Sequence, residues 1–383
     1  TTTINTGSGA GTVSFGAAIE ANGGDNDLLV ITSGTGDVTF TGAVAGTNAL
    51  GGLSVNASSG NGGITFTSTI GDGDTVGVVG TTAVGNSTTT DIDFGAGTYK
   101  FNGGTTFTAV SSGTMDMAAA VTFSTTNDSI EFATAGIALA NGANLTIDTG
   151  AAAGDITVGG AITGDSQETV TLDAGTGTTS VAAIGSSTQI GALSIGTSDN
   201  GGITLNGAIV TDGAVVIDGP VTLATGAVSV TTADDAITFS HTIDGAQALT
   251  LVSGTAATAI QDGIGESTAL SSLTITNGSA NGTIEIENIG GVTGATAIGN
   301  TSTATITLDG TTYTTTGAQT YTAVTGGGNI DITGTNTTFT TTNSNVAFAT
   351  SGVDLANNGT TTINTGSGAG TVSFGAALES NGG

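Results

Sequence analysis

The 383-residue chain contains 67 glycines, no cysteine and few charged residues, which make up 8% of it, and its net charge is -29. This acidic balance argues strongly against a nucleic-acid-binding protein, because phosphates are bound through Lys and Arg, and Lys100 is the only such residue. The absence of cysteine excludes disulfide and zinc-thiolate frameworks. No apolar run approaches the roughly 18 residues of a membrane helix, so no membrane insertion is expected.

Short alternating runs recur along the chain, and they predict β-strands. Apolar residues alternate in them with Thr or Ser, which places the two kinds of side chain on opposite faces. Helices are not expected, because no window sustains helical apolar spacing and Gly, Thr and Asn are poor helix formers. The clearest runs, in chain order, are "VTFT" at 38–41, "ITFT" at 64–67, "ITLN" at 203–206, "ITFS" at 237–240 and "LTIT" at 273–276.

The first family of internal repeats consists of a strand, a polar corner and a second strand, at residues 51–70, 191–209 and 271–289. Each corner ends in Asn-Gly, at 61–62, 200–201 and 281–282. Both residue types tolerate left-handed backbone angles, so the pattern predicts a bend at each Asn-Gly. Each copy also follows an upstream strand at a similar distance, as from Leu172 to Leu193; these strands are predicted at 28–32, 169–173 and 248–252.

A longer period relates the two ends of the chain. Residues 360–383 repeat residues 1–24 with two differences, Ile19 to Leu378 and Ala21 to Ser380. A second family of repeats pairs 97–110 with 310–324 and 123–150 with 339–366, and residues 144–162 are a diverged copy of the opening segment. We therefore predict one long repeat, residues 1–359, followed by the first coil of the next, residues 360–383. A continuation resembling residues 25–34 is expected after Gly383, as in an interior portion of a longer protein.

These recurrences predict an all-β protein, a parallel β-helix (β-solenoid) with about 20 residues per coil. Residues 1–383 are expected to form a single continuous solenoid, with ladders of Val, Ile, Leu and Phe inside and Thr outside. The alternative is a tandem array of immunoglobulin-like sandwiches. Such domains need about 100 residues per unit and usually bury aromatic residues, whereas this chain has no Trp and only 4% aromatic residues. The short period favours the solenoid.

The repeat style resembles the filamentous-haemagglutinin-like, autotransporter-type giant surface proteins of bacteria. The resemblance lies in residues 47–70, 234–256 and 312–324, and the style extends over essentially the whole chain. It implies a right-handed parallel β-helix that is exported to the bacterial cell surface or beyond. It also implies a role in adhesion, matrix or filament formation, and it implies no catalytic residues.

Candidate catalytic residues are few. His241 is the only histidine, and a Ser–His–Asp arrangement would need Ser240 with Asp244 or Asp235 as the orienting carboxylate. Ser and Asp are so frequent in this composition that a surface histidine is the favoured interpretation. Lyase chemistry of the kind found on β-helices relies on Arg or Lys, and Lys100 stands alone.

Two pairs of acidic residues have the spacing that places both on one strand face, and a glycosidase needs only such carboxylates. The pairs are Asp91 with Asp93 and Glu285 with Glu287. Outward positions of a strand explain them more simply, so we predict no enzyme, no catalytic residue and no cofactor-binding residue.

Calcium is the best-motivated ligand, although no metal-ligating residue is predicted. Residues 23–28 distantly resemble the glycine-rich nonapeptide of calcium-binding rolls, and an ordinary turn is favoured there. The acidic charge allows weak binding of a divalent cation such as calcium. The glycine-rich residues 7–11 open no helix and precede no Lys, so phosphate binding is not supported.

Thr-x-Thr triplets occur at 65–67, 274–276 and 305–307, and such triplets are compatible with an ice-binding surface. A flat Thr array would require these triplets to stack in register on one face, and their spacing is irregular. Strand composition is therefore the favoured explanation of the triplets.

We therefore expect a structural, extracellular repeat protein that forms a long stiff filament, stalk or surface fibre. Its partners would be neighbouring copies of the same repeat, joined covalently or end to end, with lateral bundling of fibres. The alternative is an adhesin that presents a discrete receptor- or glycan-binding site on a β-helix stalk. The irregular stretches at 71–90 and 290–304 are the nearest candidates for such a site.

Overall fold

A computed structural model describes residues 1–23, 27–71, 77–196, 201–278, 281–356 and 359–380. These residues form β-strands and no helix, and the strands stack in parallel as a β-solenoid of about 15 turns with about 24 residues per turn. The predicted parallel β-helix is therefore confirmed. The coil length predicted from the sequence is too short.

The longer turn arises from corners of variable length. Thr82 pairs with Leu53 of the preceding coil and with Thr105 of the following coil, so the turn that ends at Thr82 is longer than the turn that begins there. The sequence spacing from Leu172 to Leu193 is also two residues shorter than the coil, because Leu193 pairs with Val170 and Leu172 pairs with Ile195. The sequence comparison therefore matched positions that are not in register.

The chain divides into two compact units, Thr1–Gly202 and Ile203–Gly383. The first unit contains the strands β1 (Thr2–Asn5), β2 (Val13–Phe15), β3 (Leu28–Thr32), β4 (Val38–Phe40), β5 (Gly52–Val55), β6 (Ile64–Phe66), β7 (Thr82–Gly85), β8 (Ile92–Phe94), β9 (Gly97–Lys100), β10 (Thr105–Thr108), β11 (Thr114–Met117), β12 (Val121–Ser124), β13 (Ile130–Ala133), β14 (Gly136–Leu139), β15 (Leu145–Asp148), β16 (Ile156–Val158), β17 (Ile162–Thr163), β18 (Thr169–Asp173), β19 (Thr179–Val181) and β20 (Ala192–Ile195).

The second unit contains the strands β21 (Ile203–Leu205), β22 (Ile209–Thr211), β23 (Val215–Ile217), β24 (Val221–Leu223), β25 (Val228–Thr232), β26 (Ile237–Phe239), β27 (Ile243–Asp244), β28 (Ala248–Val252), β29 (Thr258–Ile264), β30 (Ser272–Thr276), β31 (Thr283–Val292), β32 (Thr296–Ile298), β33 (Thr305–Leu308), β34 (Thr312–Thr315), β35 (Gln319–Thr322), β36 (Asn329–Ile332), β37 (Asn336–Thr340), β38 (Val346–Ala349), β39 (Gly352–Leu355), β40 (Thr360–Asn364), β41 (Val372–Phe374) and β42 (Leu378–Ser380).

Each unit is built from three ladders of parallel strands around an apolar core. In the first unit, β10, β11 and β12 form one coil and pair with β13, β14 and β15 of the next. In the second unit, β34, β35 and β36 pair in the same way with β37, β38 and β39. The five clearest alternating runs of the sequence all form strands, namely β4, β6, β21, β26 and β30.

Aromatic rings form continuous rows inside the core. In the first unit, Phe15, Phe40, Phe66 and Phe94 stack along one ladder with ring centroids 5.2, 4.8 and 5.7 Å apart. In the second unit, Phe348 stacks between Tyr321 and Phe374 at 5.3 Å from each. Such rows follow from the parallel register, because one inward position recurs once per coil at the strand spacing.

Close stacking of the corners requires glycine at particular places. A Cβ atom on Gly310 would lie 1.5 Å from the backbone oxygen of Glu287, and one on Gly201 would lie 1.5 Å from that of Gly177. Both contacts are backbone contacts with the neighbouring coil. A side chain at either position would therefore force the coils apart.

The predicted Asn-Gly bends are only partly correct. Asn281 has the expected left-handed angle, with a φ of 61°. At the first copy the prediction is wrong, because the left-handed residues are Asn56 (φ 50°) and Gly60 (φ 105°) rather than Asn61. Asn200 lies outside the described residues.

Candidate functional surface

The described residues hold no group of three or more His, Asp or Glu side chains that could bind a metal ion. Within the same residues, no helix is long and apolar enough to cross a membrane. Of the glycine-rich turn considered for calcium, residues 24–26 lie outside the described residues, and so do residues 72–76 of the irregular stretch at 71–90.

Carboxylates line up between coils rather than along one strand. In the first unit, Asp93 is in register with Asp116 of the next coil, and Thr65 of the preceding coil donates a hydrogen bond to its Oδ2 at 3.2 Å. Burial raises the pKa of Asp93 in spite of this bond, and the charges of Asp116 and Asp91 raise it further. Of the pair considered in the sequence, Asp93 thus belongs to a row that crosses the strands, whereas Asp91 contributes only its charge.

A second acidic row in the second unit contains Asp331, Asp354 and Glu379 at matching positions of β36, β39 and β42. Burial, with the charge of Asp354, raises the pKa of Asp331. The Oδ1 atom of Asp331 is buried and has no hydrogen-bond partner, whereas Asp354 accepts a bond of 3.0 Å from Asn329. Removing the charge of Asp331 is therefore expected to stabilise the fold more than removing the charge of Asp354.

The pair Glu285 and Glu287 faces outward from β31, as the alternation predicts. The carboxyl partner of Glu285 is nevertheless Asp309. A hydrogen bond with Asp309 raises the pKa of Glu285, and burial and the charge of Asp309 act in the same direction. Asp309 lies diagonally across from Glu285, whose register partner in the next coil is Thr307.

Replacing Asp331 with asparagine is expected to raise the free energy of unfolding at pH 7 by about 0.5 kcal/mol, a small value because solvent screens a half-exposed group. The folded pKa lies above the unfolded value of about 3.9. The folded protein therefore retains a proton that the unfolded chain has released, and stability falls as the pH rises through this window. In urea unfolding between pH 4 and 7, the gain in unfolding free energy of D331N over the parent should grow as the pH rises.

The control for this experiment is Glu131→Gln, because Glu131 is exposed and its register neighbours are Thr106 and Thr157. That variant should keep the parent's pH dependence. An unchanged slope in D331N would contradict the proposed repulsion in the acidic row.

His241 is half-buried, and its Nδ1 atom lies 3.4 Å from Oδ1 of Asp218, outside hydrogen-bond geometry. The carboxylate considered as its orienting partner, Asp244, instead accepts bonds of 2.9 Å from the backbone N–H groups of Ser267 and Thr268. The carboxylate of Asp244 thus stabilises the backbone of a corner. The acidic neighbour of His241 is Asp218.

The Thr-x-Thr triplets do not stack into one array. The row that contains Thr65 continues through Asp93 and Asp116. In the second unit, Thr274 lies in β30, which pairs with β28 and β32, whereas Thr305 lies in β33, which pairs with β31 and β36. The triplets therefore occupy different ladders, as their irregular spacing indicated.

Sequence analysis missed a buried polar network at one corner of the first unit. Asn56 is fully buried, and its Oδ1 accepts a bond of 2.9 Å from the backbone N–H of Ser33 in the preceding coil. Its Nδ2 donates to the Ser33 hydroxyl at 2.9 Å. From the following coil, Asn86 donates to the backbone oxygens of Asn56 and Gly60. Three consecutive coils are thus joined through asparagine side chains.

The second unit repeats this network. Asn277 is fully buried, and it donates to the Ser253 hydroxyl at 2.9 Å and to the backbone oxygen of Ala256 at 3.0 Å. Its Oδ1 accepts a bond of 3.0 Å from the Thr303 hydroxyl, and Asn300 donates to its backbone oxygen. The signal in the sequence is the Asn that follows each strand, upstream of the Asn-Gly pair.

An open groove of about 400 Å³ runs beside this corner of the first unit. Its lining carries hydroxyl, amide and backbone groups, with no charged or aromatic side chain. The lining residues are Asn5, Gly7, Ser8, Thr32, Gly34, Thr35, Ser59, Gly60, Asn61 and Thr88. Such a surface can hydrogen-bond a polar ligand but offers no ring on which a sugar could stack.

The chain was compared with protein-family models, curated proteins and solved structures, and no match was found in any of the three comparisons. Functional residues therefore cannot be transferred to these positions from another protein. The arrangement itself consists of outward Thr and carboxylate rows, buried asparagine corners and an aromatic core.

Proposed function

We propose that this chain is part of a structural, non-catalytic repeat protein that forms a long stiff filament, stalk or fibre outside the bacterial cell. The observation that carries the proposal is the parallel register of the ladders within each unit, which continues from coil to coil with local shifts between Ile260 and Gly263 and between Ile289 and Val292. In both units, strands one coil apart pair residue by residue, and apolar side chains stack beneath them. Stacked coils of this kind behave as a quasi-one-dimensional material, in which each coil is held by its neighbours.

The composition supports a role outside the cell. Lys100 is the only residue after which a trypsin-like protease could cut, and its backbone N–H is bonded to Ile70 of the neighbouring coil. The net charge of -29 favours solubility. The resemblance to filamentous-haemagglutinin-like surface proteins points in the same direction. Covalent or end-to-end extension, with lateral bundling through the Thr-rich faces, would turn such coils into a fibre.

The proposal is tested on native material by electron microscopy with an antibody against this chain, combined with fibre diffraction. Labelled fibres outside the cell and a meridional reflection near ~4.8 Å are expected, because the coils rise by one strand spacing each. Label confined to the cell interior, or fibres without that reflection, would contradict the proposal.

The second candidate is an adhesin, and the polar groove beside Asn5 favours it. Binding of the purified chain to cells would support this function if a Ser8→Arg variant, which fills the groove, abolished the binding. Ala153→Arg is the matched control, because Ala153 is exposed in the same unit and does not line the groove. Equal binding by both variants would argue against a site in the groove.

A further inference from the structure

Asparagine followed by glycine recurs along the chain, and this dipeptide is especially prone to spontaneous deamidation. The backbone nitrogen of the glycine attacks the side-chain carbonyl carbon of the asparagine, since glycine has no Cβ atom to obstruct the approach. The surroundings of each pair decide whether these two groups can meet. Within the described residues, the pairs begin at Asn22, Asn61, Asn102, Asn141, Asn206, Asn277 and Asn281.

The pair at Asn277 is held on every side. Asn277 is 0% exposed, and its side-chain amide makes three hydrogen bonds of 2.9, 3.0 and 3.0 Å. The N–H of Gly278 donates to the backbone oxygen of Gly254 at 2.6 Å. These four bonds must open before the glycine nitrogen reaches the side chain, so deamidation of Asn277 should be about a thousandfold slower than that of an unrestrained pair.

The pair at Asn141 is held by two carboxylates. Nδ2 of Asn141 donates to Oδ2 of Asp165 at 3.1 Å. The N–H of Gly142, which is the attacking group of this pair, donates to Oε1 of Glu168 at 3.0 Å. Both bonds must break before the two groups can react, so this pair is restrained as well.

The other pairs differ in how accessible their reacting groups are. Gly62 and Gly282 are buried, which places the attacking nitrogens of the pairs at Asn61 and Asn281 away from solvent. The Oδ1 atom of Asn206 accepts a hydroxyl hydrogen bond of 3.0 Å.

The pair Asn102–Gly103 lacks these restraints. Asn102 is exposed and Gly103 is half-buried. Among the described residues, neither the side chain of Asn102 nor the N–H of Gly103 has a hydrogen-bond partner. The two reacting groups can therefore meet without first breaking a hydrogen bond to these residues.

We propose that Asn102–Gly103 deamidates spontaneously and that the product opens the chain to cleavage after Lys100. The N–H of Gly103 loses its proton, the nitrogen bonds to Cγ of Asn102, and the Cγ–Nδ2 bond breaks with release of ammonia. Water then opens the cyclic imide at either carbonyl, which leaves aspartate or isoaspartate at position 102. This chemistry needs only water and does not depend on the filament function.

The cleavage site is closed in the intact corner. Lys100 is the only residue after which a trypsin-like protease could cut. The successive N–H groups of Lys100, Phe101 and Asn102 donate to backbone oxygens of the coils on both sides, at 2.9, 2.9 and 2.8 Å. Phe101 is also only 1% exposed. A protease needs an exposed segment that is released from such bonds, so the folded corner resists it.

Isoaspartate would open this corner because it lengthens the main chain by one carbon atom. Gly103 has no room toward the preceding coil, where a Cβ atom would lie 2.5 Å from the backbone oxygen of Gly80. The longer corner must therefore lift from that coil. Lifting breaks the bond from Asn102 to Val78 and the bond of 3.4 Å from Val78 to Lys100. Loss of two backbone bonds should raise the rate of cleavage roughly thirtyfold.

The test ages the purified full chain at mildly alkaline pH and follows each asparagine by peptide mass spectrometry. The parent should gain the mass of deamidation at Asn102, whereas Asn277 should stay unchanged. Asn102→Gln retains an amide but closes a larger ring far more slowly. Asn61→Gln is the matched control, because Asn61 is exposed in the same unit and precedes a buried glycine. Deamidation at Asn277 with none at Asn102 would overturn the proposal.

Brief trypsin treatment then measures the opening. The aged parent and aged N61Q should give two fragments, one ending at Lys100 and one beginning at Phe101. The fresh parent and aged N102Q should stay intact. A chain that is deamidated at position 102 and still uncut would overturn the link to cleavage, and so would equal cutting of aged N102Q.

A third variant separates the added charge from the longer main chain. Fresh Asn102→Asp carries the charge with a main chain of normal length, so it should resist trypsin as the fresh parent does. Cleavage of fresh N102D at the rate of the aged parent would overturn the role of isoaspartate in opening the corner.

Discussion

Replacing Phe94 with alanine is expected to lower the free energy of unfolding of the first unit by about 3–5 kcal/mol, the range for removing a buried aromatic ring. Phe94 is 0% exposed and ends the stacked row that reaches it through Phe66. It also meets Tyr99, Phe107 and Phe123 edge-on, with ring centroids 5.2, 5.2 and 5.0 Å away. Removing the ring of Phe94 would therefore leave a cavity at the point where the stacked phenylalanine row meets the cluster of edge-on rings.

The matched control is the same change at Phe374, which is 40% exposed and stacks on Phe348. This substitution removes an identical ring that is only partly buried and has one stacked partner, so it should cost about 2 kcal/mol from lost burial and stacking together. Urea unfolding followed by circular dichroism, at concentrations where the chain is monomeric, measures both variants. Equal losses would show that the aromatic cluster is no more important than the end of a row.

Replacing Glu168 with glutamine is expected to cost about 2–3 kcal/mol, the value for leaving buried groups around a charge without their partner. Glu168 is 0% exposed, and its carboxylate accepts bonds from the backbone N–H groups of Gly142 at 3.0 Å, Gln167 at 3.3 Å and Asp165. Burial alone would raise its pKa, but the backbone N–H groups around it outweigh burial and lower the pKa. In the glutamine variant an NH2 group would replace one carboxylate oxygen and would face backbone N–H groups that it cannot accept bonds from.

The effect of Glu168 has a pH dependence opposite in sign to that of Asp331. Its folded pKa lies below the unfolded value of about 4.3, so its stabilisation is complete above that pH and is lost as the pH falls through the folded pKa. The difference between parent and E168Q, measured by thermal unfolding, should be constant near neutral pH and shrink below about pH 4. Glu131→Gln supplies the exposed control. A difference that persists in acid would mean that shape rather than charge holds this corner.

The strands could be predicted from the sequence because alternation is a local property. The runs that became β4, β6 and β26 carry their inward and outward residues within four positions. The coil length could not be predicted in the same way, because it depends on corners whose lengths vary while the strands stay in register. The handedness implied by the resemblance, the single continuous solenoid and the 359-residue long repeat stay predictions.

The surface was harder to predict, because its interactions link residues in different coils. Asp93 and Asp91 are close in sequence, but the row to which Asp93 belongs includes Asp116. Asn56 and Asn277 were not singled out in the sequence, since Asn is common in corners. Only the stacking of coils shows that both are buried and bonded on two sides. Glu168 gave no signal at all, because its partners are backbone groups.

The variable corners have a consequence for how sequence length relates to physical length. The turn from Leu53 to Thr82 and the shorter turn from Thr82 to Thr105 advance the ladder by the same single strand spacing, about 4.8 Å. Residues gained or lost at a corner therefore change the cross-section and the surface of one coil. They do not change the distance that the coil adds along the ladder. In such a protein the length of a ladder along its axis is set by the number of coils. Peptides inserted at a corner would leave that length unchanged.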